Sequence, residues 1–413
     1  MNNVLPPSAA AERPPFTLRF RAMNTAISCT LPCGGGEERE RLTRDATSWF
    51  RYVEERFSRF RPASELVRLN ERAGADCLVS AAMLEVLRLA EVYRKLTNGA
   101  FDPFILPALE RSGYDRSFDE LAGREVRAPA ESGRGASAHP AYVPVNAPVN
   151  LPPSLRTIEI QPDMRAVRLP RGASIDLGGI VKSWAVKRLA DWLRRTRGAA
   201  YGIVNAGGDL AVWGREAAAA ASRGERPGAA GAAPEPGGAS ASAAAPSAHG
   251  GALAAPLGQP ADARGAEAAV RRPSPWRIGI EHPWEPGRDI GQLLLGEGAS
   301  ATSGTLGRRW TAAGGDRHHL IDPAAMAPSD SDVAQCTASG DDPVACEIWA
   351  KTLCILGTEA GLGLLARTGA PVEALLFTRG RELVFYGDPA SLGTRWTGLP
   401  AVRLVPAVKR NFT

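Results

Sequence analysis

Between residues 37 and 60 apolar side chains return every three or four positions, with Trp49, Phe50, Val53 and Phe57 on one stripe, which predicts an amphipathic helix. A second helix is expected from a cap at Ser80 to about Asn98, with Gly99 just past its end. A third should run from the turn at Gly179 through Leu189, Trp192 and Leu193 to Gly198, and a long fourth over residues 343–367. Elsewhere the period drops to two. Leu18, Phe20, Ala22, Ala26 and Ile27 give an imperfect alternation over residues 17–30, read as a strand pair or one long strand. Residues 175–186 read as a strand end, a Gly-Gly turn and a helix start. Residues 202–204, 276–281 and 292–296 read as strands, and 373–386 as a hairpin turning at Arg379-Gly380. No fixed-period repeat interrupts this mixture of helices and strands.

Two stretches break the pattern. Residues 121–155 and, more extremely, 215–275 consist mainly of Ala, Gly, Pro, Ser and Arg. Such segments bury too little surface to offset chain entropy. The first is expected to be a loosely ordered insertion and the second a disordered one. Together with a disordered start at 1–15, they leave one folded domain over 16–405.

The 413 residues carry 49 Lys and Arg against 44 Asp and Glu, a net charge of +5. The basic residues are scattered, so no nucleic-acid tail or polybasic membrane segment is indicated. No run of 18 apolar residues suggests a spanning helix. Six cysteines without a C-x-x-C pair read as free thiols rather than a disulfide framework. With no signal-peptide pattern at the start, a cytoplasmic location is expected.

Candidate chemistry lies in the turns. In Ser174-Ile-Asp176-Leu-Gly178-Gly179-Ile-Val-Lys182-Ser183 an acid and two glycines lead into a helix whose free N–H groups suit a phosphate, with Lys182 in the first turn. An ordinary glycine-rich turn is the plainer reading. Asn205-Ala-Gly207-Gly208-Asp209 is a second such turn, and Asn98-Gly99-Ala100-Phe101-Asp102-Pro103 a third. Of five histidines, His318 and His319 stand before Leu320-Ile321-Asp322-Pro323, where an imidazole can point into a cleft and accept a proton near neutral pH.

Taken in order, these segments resemble the FAD:protein FMN transferases of the ApbE family. The likeness is carried by Phe57-Ser-Arg-Phe-Arg-Pro-Ala-Ser64-Glu65-Leu-Val-Arg-Leu69-Asn70, Gly99-Ala-Phe-Asp102-Pro103, Asp176-Leu-Gly-Gly-Ile-Val-Lys182, Asn205-Ala-Gly-Gly-Asp209, Ala301-Thr-Ser303-Gly304 and His319-Leu-Ile-Asp322-Pro323. The resemblance implies a two-lobed, T-fold-like α+β fold with FAD in the cleft. It implies attack by a Thr or Ser hydroxyl of an acceptor flavoprotein on the FMN-side phosphorus, with AMP leaving. Met23, Ala100, Phe101, Asp102, Asp176, Gly178, Gly179, Lys182, Ser303 and Ile321 would then contact FAD. His319 would be the base, and Lys182 would stand at the phosphates.

Three departures accompany the likeness. Met23-Asn24-Thr25 stands where the family has Met-Gly-Thr, and Asn tolerates the positive φ that Gly provides. Pro323-Ala-Ala-Met326 lacks the family's Arg-Thr-Gly. On the late helix, the family's magnesium-binding Asp and Thr are Glu347 and Lys351. Gly179, Glu347 and Lys351 are the candidate metal positions, with Lys351 expected to take the ion's place; a surface salt bridge is the plain reading of the last two. FAD hydrolysis to FMN and AMP, and flavin binding without catalysis, are the rival functions.

Overall fold

The computed structural model of the chain describes residues 14–121, 151–214, 274–312 and 315–407, which belong to one compact unit. The readings of residues 1–13, 122–150 and 215–273 lie outside them. Residues 151–155, placed by composition in a loose insertion, include a 3-10 turn at Pro153–Leu155, and Leu121 is buried at the end of a helix.

Nine strands form one sheet. In spatial order they are Pro15–Ala22, Thr25–Pro32, Gly202–Ala206, Asp209–Trp213, Gly298–Gly304, Val333–Gly340, Val372–Thr378, Leu383–Gly387 and Arg403–Pro406. All neighbours are antiparallel except the last pair. The first alternating segment is thus a hairpin, not one long strand. Ala22 faces Thr25 across a two-residue turn in which Met23 and Asn24 have φ of 52° and 56°. Positive φ at both central residues matches the right-handed twist of the strands, so Asn24 does what the glycine of the family pattern would.

Central strands are buried on both faces, and their side chains alternate between two cores. On Asp209–Trp213, Ala211 and Trp213 join a helical cluster while Leu210 and Val212 turn the other way. On Val372–Thr378, Ala374 and Leu376 oppose Leu375 and Phe377 in the same manner. The second face is covered by a three-stranded sheet of Trp276–Glu281, Asp289–Leu295 and Trp396–Thr397. The first face carries the helices, in two clusters over the two halves of the sheet. This is an α+β fold whose two-part organisation resides in the helical layer.

The helices are α1 (Gly36–Phe57), α2 (Glu65–Glu71), α3 (Ala81–Leu96), α4 (Leu106–Arg111), α5 (Phe118–Leu121), α6 (Val181–Arg195), α7 (Pro343–Leu356) and α8 (Thr358–Thr368). The stripe of α1 holds Phe50, Val53 and Phe57 as expected, together with Leu42 and Ala46, while Trp49 is half-buried. Ser80 caps α3, its Oγ accepting from the Met83 N–H at 3.1 Å. No helix among the described residues is long and apolar enough to cross a membrane. All six cysteines are free and buried.

Two sequence expectations are corrected. The single helix over residues 343–367 is two, because Gly357 adopts φ 83°. A Cβ there would lie 2.5 Å from Asp332 Oδ1, the oxygen that caps α8 at the Thr358 N–H. Nor is Ile175 at the end of a strand. Its N–H and carbonyl are both taken by the side-chain amide of Asn70, at 3.0 Å each, and the Asp176 N–H donates to Pro103 O at 2.8 Å. A side chain on α2 satisfies backbone groups that a ladder would otherwise pair, which is why the segment can stay extended and irregular.

Candidate active site

The chain segments that carry the turn motifs converge on one cavity of about 530 Å³. At the mouth of α6, Gly178 and Gly179 line it, with Lys182 one turn further. Asp176 also lines it and is held from both sides. The Gly178 N–H donates to Oδ1 at 2.9 Å, and Arg59 pairs with Oδ2 at 3.2 Å. The third turn contributes Ala100, Phe101 and Asp102; the sheet contributes Ser303; the hairpin turn, Met23; the late loop, His319 and Ile321; and α7, Lys351.

Asp102 is nearly closed off. It caps the following turn by accepting from the Phe104 N–H at 2.9 Å, and Arg156 Nη1 binds its other oxygen at 3.0 Å. Burial raises its pKa, and the Phe104 and Arg156 hydrogen bonds only partly oppose that rise. Arg156 also donates to Pro323 O at 3.0 Å, tying the third turn to the Asp322-Pro323 turn. Arg59 lies over the rings of Phe60 and Tyr114, 4.1 and 4.5 Å from their centroids. Neither arginine was assigned a role from the sequence: 117 positions separate Arg59 from Asp176, and 54 separate Arg156 from Asp102, distances at which no local spacing rule operates.

Below Lys182 and Lys351 lies a buried charge cluster. Glu347, fully buried, accepts from Lys351 Nζ at 2.6 Å, pairs with Lys182 at 3.4 Å and accepts from both the hydroxyl and the N–H of Ser183, the latter at 3.1 Å. Lys182 also donates to Asp209, the last residue of the second glycine turn. The surface salt-bridge reading of Glu347 and Lys351 is therefore wrong: the pair is interior. Burial works against the charge on Glu347, but the two lysines and the hydrogen bonds from Lys351 and Ser183 outweigh it and hold its carboxyl below the ordinary range. Asp209 is pushed the other way by burial and by the charge of Glu347. Lys182 stays charged because Asp209 and Glu347 more than offset its burial.

This arrangement does not fit a divalent ion. Magnesium requires oxygen ligands in octahedral geometry. Both oxygens of Glu347 are already engaged, and an ammonium stands against one of them. Gly179 packs beside the Lys351 stem, where a Cβ would lie 3.7 Å from Cε. No group of three or more His, Cys, Asp or Glu suited to a metal occurs among the described residues.

The two adjacent histidines differ. His318 is buried, with Nε2 3.0 Å from Ser329 O and Nδ1 accepting from the Leu320 N–H at 3.3 Å, so both ring nitrogens are used structurally. His319 lines the cavity, and its Nδ1 has no hydrogen-bond partner. Burial, then the charges of Arg308, Lys351, His318 and Lys182, hold its pKa well below the ordinary value. It is a neutral imidazole among cations.

A cavity with aromatic side chains at Phe60, Phe101 and Tyr114, cations at Lys182, Lys351 and Arg308, and a neutral imidazole suits a phosphorylated aromatic ligand. The ApbE family profile matches residues 23–224 and 250–376, and the chain belongs to that family. It is 23% identical over 331 residues to an FAD:protein FMN transferase of Vibrio cholerae, covering 79% of this chain and 76% of that one. Over 110 residues it is 30% identical to a Klebsiella pneumoniae protein of the same name, an overlap of 26% of this chain and 34% of the relative. Its fold is that of the ApbE protein of Thermotoga maritima, at TM-score 0.63 and 19% identity, covering 90% and 96% of the two chains. The flavin transferase ApbE of Vibrio cholerae superposes with TM-score 0.59 at 20% identity, covering 89% and 94%.

Proposed function

We propose that this protein transfers FMN from FAD to a Thr or Ser hydroxyl of an acceptor flavoprotein, releasing AMP. The observation that carries the reading is His319, whose Nδ1 has no protein partner and which lines the same cavity as Lys182, Lys351 and Arg308. Only the neutral form can take a proton, so a pKa held low keeps the base ready. The acceptor hydroxyl oxygen attacks the FMN-side phosphorus and gives its proton to His319. The bond to the bridging oxygen breaks, and AMP leaves with that electron pair. Charge on the phosphate oxygens is met by positioned cations, which carry most of the catalysis in phosphoryl transfer.

In this chain Lys351 would take over part of the role that the family likeness assigns to magnesium, with Glu347 orienting it. Glu347 holds both ammoniums at the floor of the cavity, and Ser183 fixes Glu347. Gly178 and Gly179 would let the backbone approach the pyrophosphate, and Asp102 and Asp176 would fix polar groups of FAD, with Met23, Ala100, Phe101, Ser303 and Ile321 around the rest of it.

The test is incubation of the protein and FAD with candidate acceptor proteins bearing an exposed Thr or Ser. A covalent FMN adduct on the acceptor by mass spectrometry, with AMP formed in equal amount, is expected. AMP and free FMN without an adduct would mean hydrolysis, and no AMP at all would mean flavin binding without catalysis.

A further inference from the structure

The cations that line the cavity are Arg59, Arg61, Lys182, Lys351 and Arg308. Four are paired: Arg59 with Asp176, Arg61 with Glu54 at 3.5 Å, Lys182 with Asp209, and Lys351 with Glu347. Arg308 alone among them has no hydrogen-bond or ion-pair partner among the described residues. Its backbone is nonetheless fixed. Before it, the buried Thr305 donates its N–H to Ala334 O at 2.8 Å; after it, Trp310 is buried with Nε1 donating to Ser112 O at 2.6 Å. Arg309 turns outward to pair with Asp316 at 2.8 Å, while Trp310 packs on Tyr114 of the cavity wall, 5.2 Å between centroids. Arg308, in the bend just before this strand, lines the cavity.

An unpaired guanidinium over a half-closed cavity wants an anion, and its planar fork matches phosphate oxygens better than an ammonium does. It lines the same cavity as His319 and Lys182, and its charge acts on both. We propose that Arg308 grips the phosphate that carries the FMN being transferred, opposite Lys182. The inference rests on the flavin-transferase reading for the identity of the ligand. Lys182 and Lys351 are committed to buried carboxylates, so they present a largely compensated surface. Arg308 adds the uncompensated charge, and it supplies a preference for phosphorylated over unphosphorylated flavin.

The test compares the affinities of FAD and riboflavin, measured by flavin fluorescence, for the wild type, Arg308→Ala and Arg308→Lys. Arg308 has no hydrogen-bond or ion-pair partner among the described residues that folding would need, and a thermal melt checks that the variants stay folded. Wild type should prefer FAD. Arg308→Ala should lose FAD affinity roughly 10- to 100-fold, the worth of a charge-assisted hydrogen-bonded pair. Riboflavin affinity should change less than about twofold, within the effect of a distant surface charge, and Arg308→Lys should recover part of the loss. An unchanged ratio of FAD to riboflavin affinity overturns the proposal, as does a wild type that does not prefer FAD. The two readings fail separately. If the ratio collapses in Arg308→Ala but no acceptor ever carries FMN, the grip stands and the transferase reading falls. If acceptors are modified while the ratio stays put, the reverse holds.

Discussion

Replacing Lys351 with methionine keeps the stem of the side chain and removes one charge from the cluster at the cavity floor. In the wild type two ammoniums face two buried carboxylates, Lys182 and Lys351 against Asp209 and Glu347. The variant leaves both carboxylates on Lys182. Removing one partner of a buried ion pair costs about 3–5 kcal/mol, and because Lys182 still stands 3.4 Å from Glu347 the lower end, about 3 kcal/mol, is expected. The loss should depend on pH. The folded-state pKa of Glu347 is depressed in the wild type, so its contribution to stability is present above the unfolded value of about 4.3 and disappears as pH falls below that. In Lys351→Met the depression shrinks, because one of the two lysines that hold the Glu347 carboxyl down is gone. The gap between wild type and variant in urea unfolding should therefore hold at about 3 kcal/mol from about pH 7.5 to about pH 5.5, where the carboxyl is ionised in both, and shrink as pH falls below about 4.3. A gap below about 1 kcal/mol at the higher pH, the value of an exposed pair, would refute the reasoning. So would a gap that is as large at about pH 3 as at about pH 7.5.

FAD turnover by the wild type should survive EDTA, whereas Glu347→Asp combined with Lys351→Thr should make turnover magnesium-dependent; loss of wild-type activity in EDTA restored by magnesium would show the lysine assignment to be wrong. His319→Ala should slow transfer by roughly 10²–10⁴-fold with little change in FAD affinity, and kcat/KM of the wild type should hold as pH falls through the ordinary histidine value of about 6.5, because the neutral form persists below it. His318→Ala should instead cost stability, about 1–3 kcal/mol for the hydrogen bonds left unmade at Ser329 and Leu320, read as a lower urea midpoint with transfer preserved. Asn70→Ala should strip both backbone partners from Ile175, destabilise by about 1–3 kcal/mol per group left unmade, and weaken FAD binding by loosening the Asp176 turn; unchanged FAD affinity in a destabilised variant would break that link.

The amino-acid order determined much of this protein by local means. The stripe of α1, the Ser80 cap of α3 and the alternation of the hairpins depend on residues a few positions apart, so their periods and caps are written in the chain. The glycine turns and the His319 segment were legible for the same reason, because tight turns and free N–H groups have compact signatures. Tertiary structure decided the partners. Whether Glu347 and Lys351 lay on the surface or inside could not be read from their i, i+4 spacing, since burial depends on α6 packing against α7 and on Ser183, 164 positions away. Which histidine was free depended on Ser329 occupying one of them. The irregular run at Ile175 depended on Asn70, 105 positions earlier, supplying what a neighbouring strand would have supplied. Arg308 looked like any of many scattered arginines until the fold paired the other cations around it. Charge and hydrogen-bond balance are sums over everything within a few ångströms, and only the folded chain defines that neighbourhood.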